Sequence, residues 1–172
     1  RMVTKNQDTE AKWAQVESQY QRRMDMYKSI IGAIKGSAEF EKSTLIKALE
    51  ARYQEAEAAK PDPNNLTPES IQRYQAAQDN LRSAFNVNVV VENYPNLETT
   101  DAFRDFQTQI EGTENRINKA RDDFNLSVQD FNTTIKTFPN NLFAGIFGFK
   151  EKGYFKSAAG AETPPDTYVP TN

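Results

Sequence analysis

The residues that could act together are mostly charged. Thr113-Glu114-Asn115-Arg116-Ile117 is followed by Arg121-Asp122-Asp123, Arg22 stands beside Arg23, and Glu41 and Arg52 fall near a stripe that is otherwise apolar. A carboxylate and a guanidinium drawn into a helical interior can neutralise each other and fix register, because a buried charge needs a partner. Glu41 or Arg52, if buried, would find that partner in Glu114, Arg116 or Arg121. Arg22 and Arg23 form a basic pair that could hold an anionic lipid or a partner's carboxylate, and otherwise read as ordinary solvated surface. Lys119 and Asp123 are spaced for a helix-surface pair worth a few tenths of a kcal/mol.

Other chemistries lack their residues. With no histidine in the chain there is no imidazole base, no Ser-His-Asp triad and no Glu-x-x-His di-iron site. With no cysteine there is no disulfide, thiolate nucleophile or Cys-ligated metal. Any metal would be held by oxygen alone, yet Glu55, Glu57, Asp62, Asp122 and Asp123 show neither a calcium-loop nor a two-carboxylate spacing. No catalytic, cofactor or metal residue is assigned. The candidates for an interaction surface or a buried polar layer are Arg22, Arg23, Glu41, Arg52, Glu114, Asn115, Arg116 and Arg121.

The element that must position most of them is Asp101 to Phe138. Phe103, Phe106, Ile110, Thr113, Ile117, Ala120, Phe124, Val128, Phe131, Ile135 and Phe138 recur at steps of three and four, which makes one face of a helix. A second stripe, Trp13, Val16, Tyr20, Met24, Tyr27, Ile31, Ile34 and Ala38, predicts helix from about residue 9. Run unbroken to Ala59 it would be roughly 75 Å long, against about 57 Å for 101–138. A break at Gly36-Ser37 is therefore expected, with Gly36 left-handed past the end of 9–35 and Ser37 capping 38–59. The other reading is a continuous helix carrying a glycine at about 1 kcal/mol.

Lys60-Pro61-Asp62-Pro63 is a loop. Thr67-Pro68-Glu69 supplies a cap, a first-turn proline and an early acid for a helix over 68–93, whose stripe is Ile71, Tyr74, Ala77, Leu81, Phe85 and Val89. Tyr94-Pro95-Asn96-Leu97 turns the chain into the long helix. After Phe138-Pro139 the segment Leu142 to Phe155 mixes aromatics with glycine and is expected to lie over the bundle and bury those rings. Residues 156–172 read as an extended or disordered tail. Short connections make consecutive helices antiparallel. The predicted fold is all-α: one domain over 1–155, an antiparallel up-and-down four-helix bundle with an aromatic, irregular C-terminal cover.

Among 172 residues, 21 basic and 24 acidic side chains give a net charge of -3. Mixed along the chain, they build no long-range field of one sign that would gather nucleic acid or an acidic membrane surface, and nucleic acid is not expected as a partner. No apolar run reaches the length of a bilayer span. The chain starts at Arg1, which suggests trimming or processing.

Gln21-Arg22-Arg23-Met24-Asp25, Ile34-Lys35-Gly36-Ser37-Ala38-Glu39-Phe40-Glu41-Lys42, Ala51-Arg52, Glu92-Asn93-Tyr94-Pro95-Asn96-Leu97, Thr113-Glu114-Asn115-Arg116-Ile117, Ala120-Arg121, Phe124-Asn125, Phe131-Asn132, Phe138-Pro139, Phe147-Gly148-Phe149 and Tyr154-Phe155, in that order, resemble the LemA family. The resemblance runs from Trp13 to Phe155. It implies a bacterial helical domain that follows an N-terminal membrane-spanning helix, here before Arg1, with a biochemical role that is not established. Two positions depart from it: Lys28 stands where members often have proline, and Phe40 where they often have histidine, so a role needing that imidazole is in doubt.

Two functional expectations follow. The first is a membrane-tethered, non-enzymatic interaction module of the cell envelope, on its periplasmic or extracytoplasmic side. It would bind another envelope protein through the Glu114-Arg116-Arg121 region or the aromatic cover. The second is a receptor for a small ligand or lipid, with a cavity between helices lined by Phe124, Phe131, Phe138 and Phe147.

Overall fold

The computed structural model describes residues 1–36 and 45–156, with only the backbone at Val87. Helices dominate and no strand occurs among the described residues, so the all-α expectation holds. In chain order they are α1 (Met2–Lys35), α2 (Leu45–Ala58), α3 (Pro68–Ala84), α4 (Val87–Asn93), a short 3-10 helix (Pro95–Thr99), α5 (Asp101–Lys136) and α6 (Asn140–Ala144).

Helix α5 forms where its stripe and caps place it. The Thr100 hydroxyl accepts from the Phe103 amide at 3.2 Å, Asp101 lies in the first turn and Lys136 in the last. Each end thus carries charge of the sign its dipole favours. The stripe is buried from Phe103 to Ile135, with Ile110 partly so. The helix ends at Lys136 rather than 138, and Phe138 is 74% exposed. Beyond the last turn the chain no longer follows the helical period, and the stripe stops with it.

Helix α1 begins at Met2, earlier than residue 9, and buries Trp13, Val16, Tyr20, Met24, Tyr27, Ile31 and Ile34 as the spacing predicts. Gly36 closes it with φ −85° and ψ 0°, right-handed rather than the expected left-handed conformation. Its amide still reaches back to the Gly32 carbonyl at 3.0 Å, so the last turn simply completes. Ser37, Glu41 and the start of the 38–59 helix lie outside the described residues; from Leu45 the helix runs to Ala58.

Helix α3 starts as Thr67-Pro68-Glu69 predicts, with Thr67 Oγ1 accepting from the Ser70 amide at 3.1 Å. The single helix over 68–93 does not form. It stops at Ala84, and Asn86 caps α4 by accepting from the amides of Asn88 and Val89 at 3.0 and 3.4 Å. An asparagine side chain that competes for backbone donors favours a new start over continuation. The re-aimed turn buries Val90 and Tyr94 and leaves Val89 exposed.

Side-chain pairings give the directions. Arg23 meets Glu114 while Lys5 meets Asp130, so α1 and α5 are antiparallel. Lys35 pairs with Glu50 and Gln21 with Lys60, so α2 runs back along α1. Tyr20 meets Tyr74 and Tyr27 stacks on Phe85, which sets α3 parallel to α1. The interior is aromatic: Trp13 contacts Tyr74, Phe124 and Phe155, with ring centroids 5.5 to 6.0 Å apart.

Past α5 the chain turns through α6, and Gly148 takes φ +76°, a conformation that favours glycine. Residues 150–156 then return along α5 as an extended strap. Of the aromatics expected to be covered, Phe155 is buried and Phe149 half-buried. Phe143, Phe147 and Tyr154 are exposed, as are Leu142 and Ile146. The strap, rather than the whole segment, roofs the core.

Candidate functional site

Arg23 directly precedes Met24, a core residue of α1, and is turned inward with it; the arginine is 2% exposed. Its Nη1 donates to both Glu114 oxygens at 2.9 and 3.1 Å, and its Nη2 to the side-chain and backbone oxygens of Gln78 at 2.9 and 3.3 Å. The guanidinium carbon lies 5.1 Å from the Tyr20 ring centroid and 5.8 Å from that of Tyr27, one turn to either side on α1. Two aromatic faces, a carboxylate and an amide thus enclose one cation. Glu114 also receives Arg82 Nε at 3.5 Å and keeps 21% of its side chain in solvent.

Burial pulls the Arg23 pKa down, and Tyr27 and Glu114 more than offset it, so the net shift is upward and the cation is held. Burial pushes the Tyr27 hydroxyl up to about 12, with Arg23 opposing. Tyr20 and Tyr74 are raised for the same first reason. These shifts describe phenols kept neutral and a cation kept charged. None poises a group for proton transfer near neutral pH.

A second polar set holds the strap. Asn132 Nδ2 donates to the Lys152 carbonyl at 3.1 Å while its Oδ1 accepts from the Lys152 amide at 2.9 Å. Asn125 grips Phe155 in the same way, at 2.9 Å in each direction. Gln75 on α3 does so at Lys156, at 2.6 and 2.8 Å. A primary amide offers a donor and an acceptor side by side, matching a backbone N–H and C=O. Arg121, 9% exposed, donates to the Lys156 carbonyl and lies 5.1 Å over the Phe155 ring. Between the clasps the Gly153 amide donates to the Leu66 carbonyl at 2.9 Å. A Cβ at Gly153 would meet Pro68 Cα at 2.6 Å, so the strap is seated against the start of α3.

The predicted residues divide accordingly. Arg23 and Arg121 are buried and Glu114 is half-buried, although Arg23 was expected at the surface with Arg22 and Arg121 was expected near Glu114. Arg22 and Asn115 are exposed. Arg116 is exposed, donating to Gln19 at 3.3 Å and Thr113 at 3.1 Å. Arg52 is exposed and pairs with Glu55 on its own helix at 2.9 Å, so it joins no buried layer and takes no partner from α5. Glu41 lies outside the described residues. Gln75, Gln78, Asn125 and Asn132 went unread in the sequence. The signal was present in Phe124-Asn125 and Phe131-Asn132, an asparagine beside each of two core phenylalanines one heptad apart.

Of the four aromatics expected to line a cavity, Phe131 and Phe147 border a part-open cleft of about 220 Å³ shared with Asn6 and Glu10 of α1, the 64–67 loop and the strap, whereas Phe124 and Phe138 do not. Phe124 and Phe131 are 0% and 1% exposed within packed rings, and Phe138 and Phe147 stand in solvent. The α1–α5 seam also carries shallow open clefts. One of about 380 Å³ includes Ala14, Ser18, Gln19, Arg116 and Ala120, and another of about 530 Å³ includes Arg22, Asp25, Met26, Asp105 and Phe106. Among the described residues no group of three or more acidic side chains gathers as a metal site.

The chain is similar to Magnetosome protein MamQ 2 and Magnetosome protein MamQ 1 of Paramagnetospirillum magneticum, at 26% identity over 94% of its length. It is also similar to Magnetosome protein MamQ of Magnetospirillum gryphiswaldense, at 25% identity over 94% of its length. It spans 66% of the length of each of these relatives. The LemA family profile matches residues 12–168. From α1 through the clasped strap, then, the polar layer and the amide grips lie within that match, and the chain belongs to the LemA family.

Proposed function

We propose that the chain is the helical domain of a membrane-tethered, non-enzymatic interaction module of the bacterial cell envelope. It is held by a segment preceding Arg1, stands on the extracytoplasmic side and binds another envelope protein. The observation that carries this reading is that the buried arginines are spent on partners inside the fold. Arg23 is closed by Glu114 and Gln78, and Arg121 by the strap carbonyl. What the bundle offers outward is contact surface. Family membership supports the tether, since the resemblance implies a spanning helix ahead of this domain, and no helix among the described residues is long and apolar enough to cross a bilayer itself.

The partner surface is the α1–α5 seam, where Arg22 and Arg116 stand by clefts lined by these two helices alone. Photoreactive residues replacing Arg22 or Arg116 in the full-length protein should give one discrete adduct with an envelope protein in intact cells. The same residue replacing Arg73, exposed on α3, should give none. No adduct at either seam position, or the same products from all three, would contradict the reading.

A further inference from the structure

Residues 137–149 contain no charged side chain, in a chain where charged residues make up 26%. Lys136 and Lys150 bracket them. This stretch turns beyond the end of α5, and its large apolar residues point into solvent: Phe138 is 74% exposed, Leu142 59%, Phe143 48%, Ile146 77% and Phe147 63%. Only Ala144 and part of Phe149 face inward, packing with Phe131, Ile135 and Met2. Five such side chains on one short turn form an apolar projection rather than scattered surface residues.

Shape and charge select the occupant. A groove accepts a peptide; the Phe147–Phe149 side of this turn borders only a cleft of about 220 Å³, and exposed apolar side chains on an uncharged turn at the end of a long helix pair enter a soft apolar phase. The cations at this end are Arg1, Lys5, Lys136, Lys150 and the buried Lys152, on which Glu10 acts. Lys5 and Lys136 are matched by Asp130 and Glu151. Arg1 and Lys150 have no ion-pair partner among the described residues, so two unpaired cations stand beside the projection on a chain of net charge -3. Positive charge around an apolar projection complements anionic headgroups over acyl chains. Met2 packs into the same end, which puts the start of α1 beside the projection.

We infer that the 137–149 turn is a membrane-insertion tip that seats this end of the bundle on an anionic bilayer surface. The tip lies in the interface and does not span. It goes beyond the tethered reading, agreeing with it in orientation, and binding by the tip itself needs no tether.

The test uses the 172-residue chain without any anchor. Wild type should co-sediment with vesicles of phosphatidylcholine mixed with phosphatidylglycerol, and more weakly with phosphatidylcholine alone. Ile146→Glu with Phe147→Glu should lower affinity for the mixed vesicles at least about tenfold. The thermal melt should be unchanged, because both side chains are exposed. Phe147→Trp should shift its emission to the blue on binding. Three results would overturn the inference: no vesicle binding by wild type, equal binding by the double variant, or equal binding to both vesicle types. Self-association that the double variant abolishes, without vesicle binding, would assign the tip to a second copy instead. The tethered reading would survive each of these, since it depends on the segment before Arg1 and on the seam.

Discussion

A single arginine shows how little of an interior can be judged from neighbours in sequence. Arg22 and Arg23 look alike on paper, yet one step of about 100° around α1 leaves the first exposed and turns the second into the core beside Met24. Once there, Arg23 depends on Glu114. Glu114→Leu should cost about 3 kcal/mol, because it leaves a buried cation without its counter-charge. Arg116→Ala, two residues further along α5 at an exposed position, should stay within about 0.5 kcal/mol. Urea denaturation of the two variants would separate them, and equal losses would mean that Arg23 is already satisfied by Gln78 and the tyrosine rings. Phe124→Ala should cost about 3 to 5 kcal/mol, since the ring is fully enclosed by Trp13 and Phe155. That position was legible, because a three-and-four spacing reports burial directly. The inward turn of Arg23 was not, because the period marks a stripe without saying which flanking charge has a partner waiting on another helix.

At the scale of elements, the long helices and the cap of α3 were readable, and the breaks were less so. Thr67-Pro68-Glu69 carries its own start signal, whereas Asn86 stands just ahead of a valine-rich run that extends the apparent stripe. The strap illustrates a different difficulty. Its aromatics announce burial, but only Phe155 has a pocket, and what fixes the backbone is a row of amides borrowed from α3 and α5. Asn132→Ala removes both hydrogen bonds to Lys152 and should cost about 1 to 3 kcal/mol. Amide hydrogen exchange should accelerate at residues 150–156 and stay unchanged in the α2 helix. Gly153→Ala should loosen the same segment, because its new methyl would collide with the backbone at Pro68. Protection of the strap that survives both substitutions would show that the Asn125, Gln75 and Arg121 contacts and Phe155 hold it without Asn132.

The whole molecule has an alkaline limit set by its buried phenols. Tyr20, Tyr27 and Tyr74 have raised pKa values when folded, Tyr27 to about 12, against 10.0 for an unperturbed tyrosine. Above pH 10 the unfolded chain releases protons that the folded chain keeps. The stability these tyrosines contribute is therefore complete below pH 10 and is lost as pH rises toward about 12. Lys152, lowered by burial, acts in the opposite sense below 10.5, but it is one group against three. Absorbance titration should show these three phenols ionising only together with the loss of helical circular dichroism. Ionisation that precedes unfolding would mean that the tyrosine layer is open to water.

The proposed placement sets one end of this molecule against a bilayer and the other away from it. Because residues 1–172 hold no cysteine, single cysteines placed in them can report on each end of this domain, read against the full-length protein without them. Glu98, exposed in the turn before α5, marks the far end, and Phe147 marks the tip. In spheroplasts treated with a membrane-impermeant maleimide, Glu98→Cys should label readily, while Phe147→Cys should stay protected until detergent is added. Equal labelling at the two positions, or labelling of Glu98→Cys only after lysis, would contradict the placement.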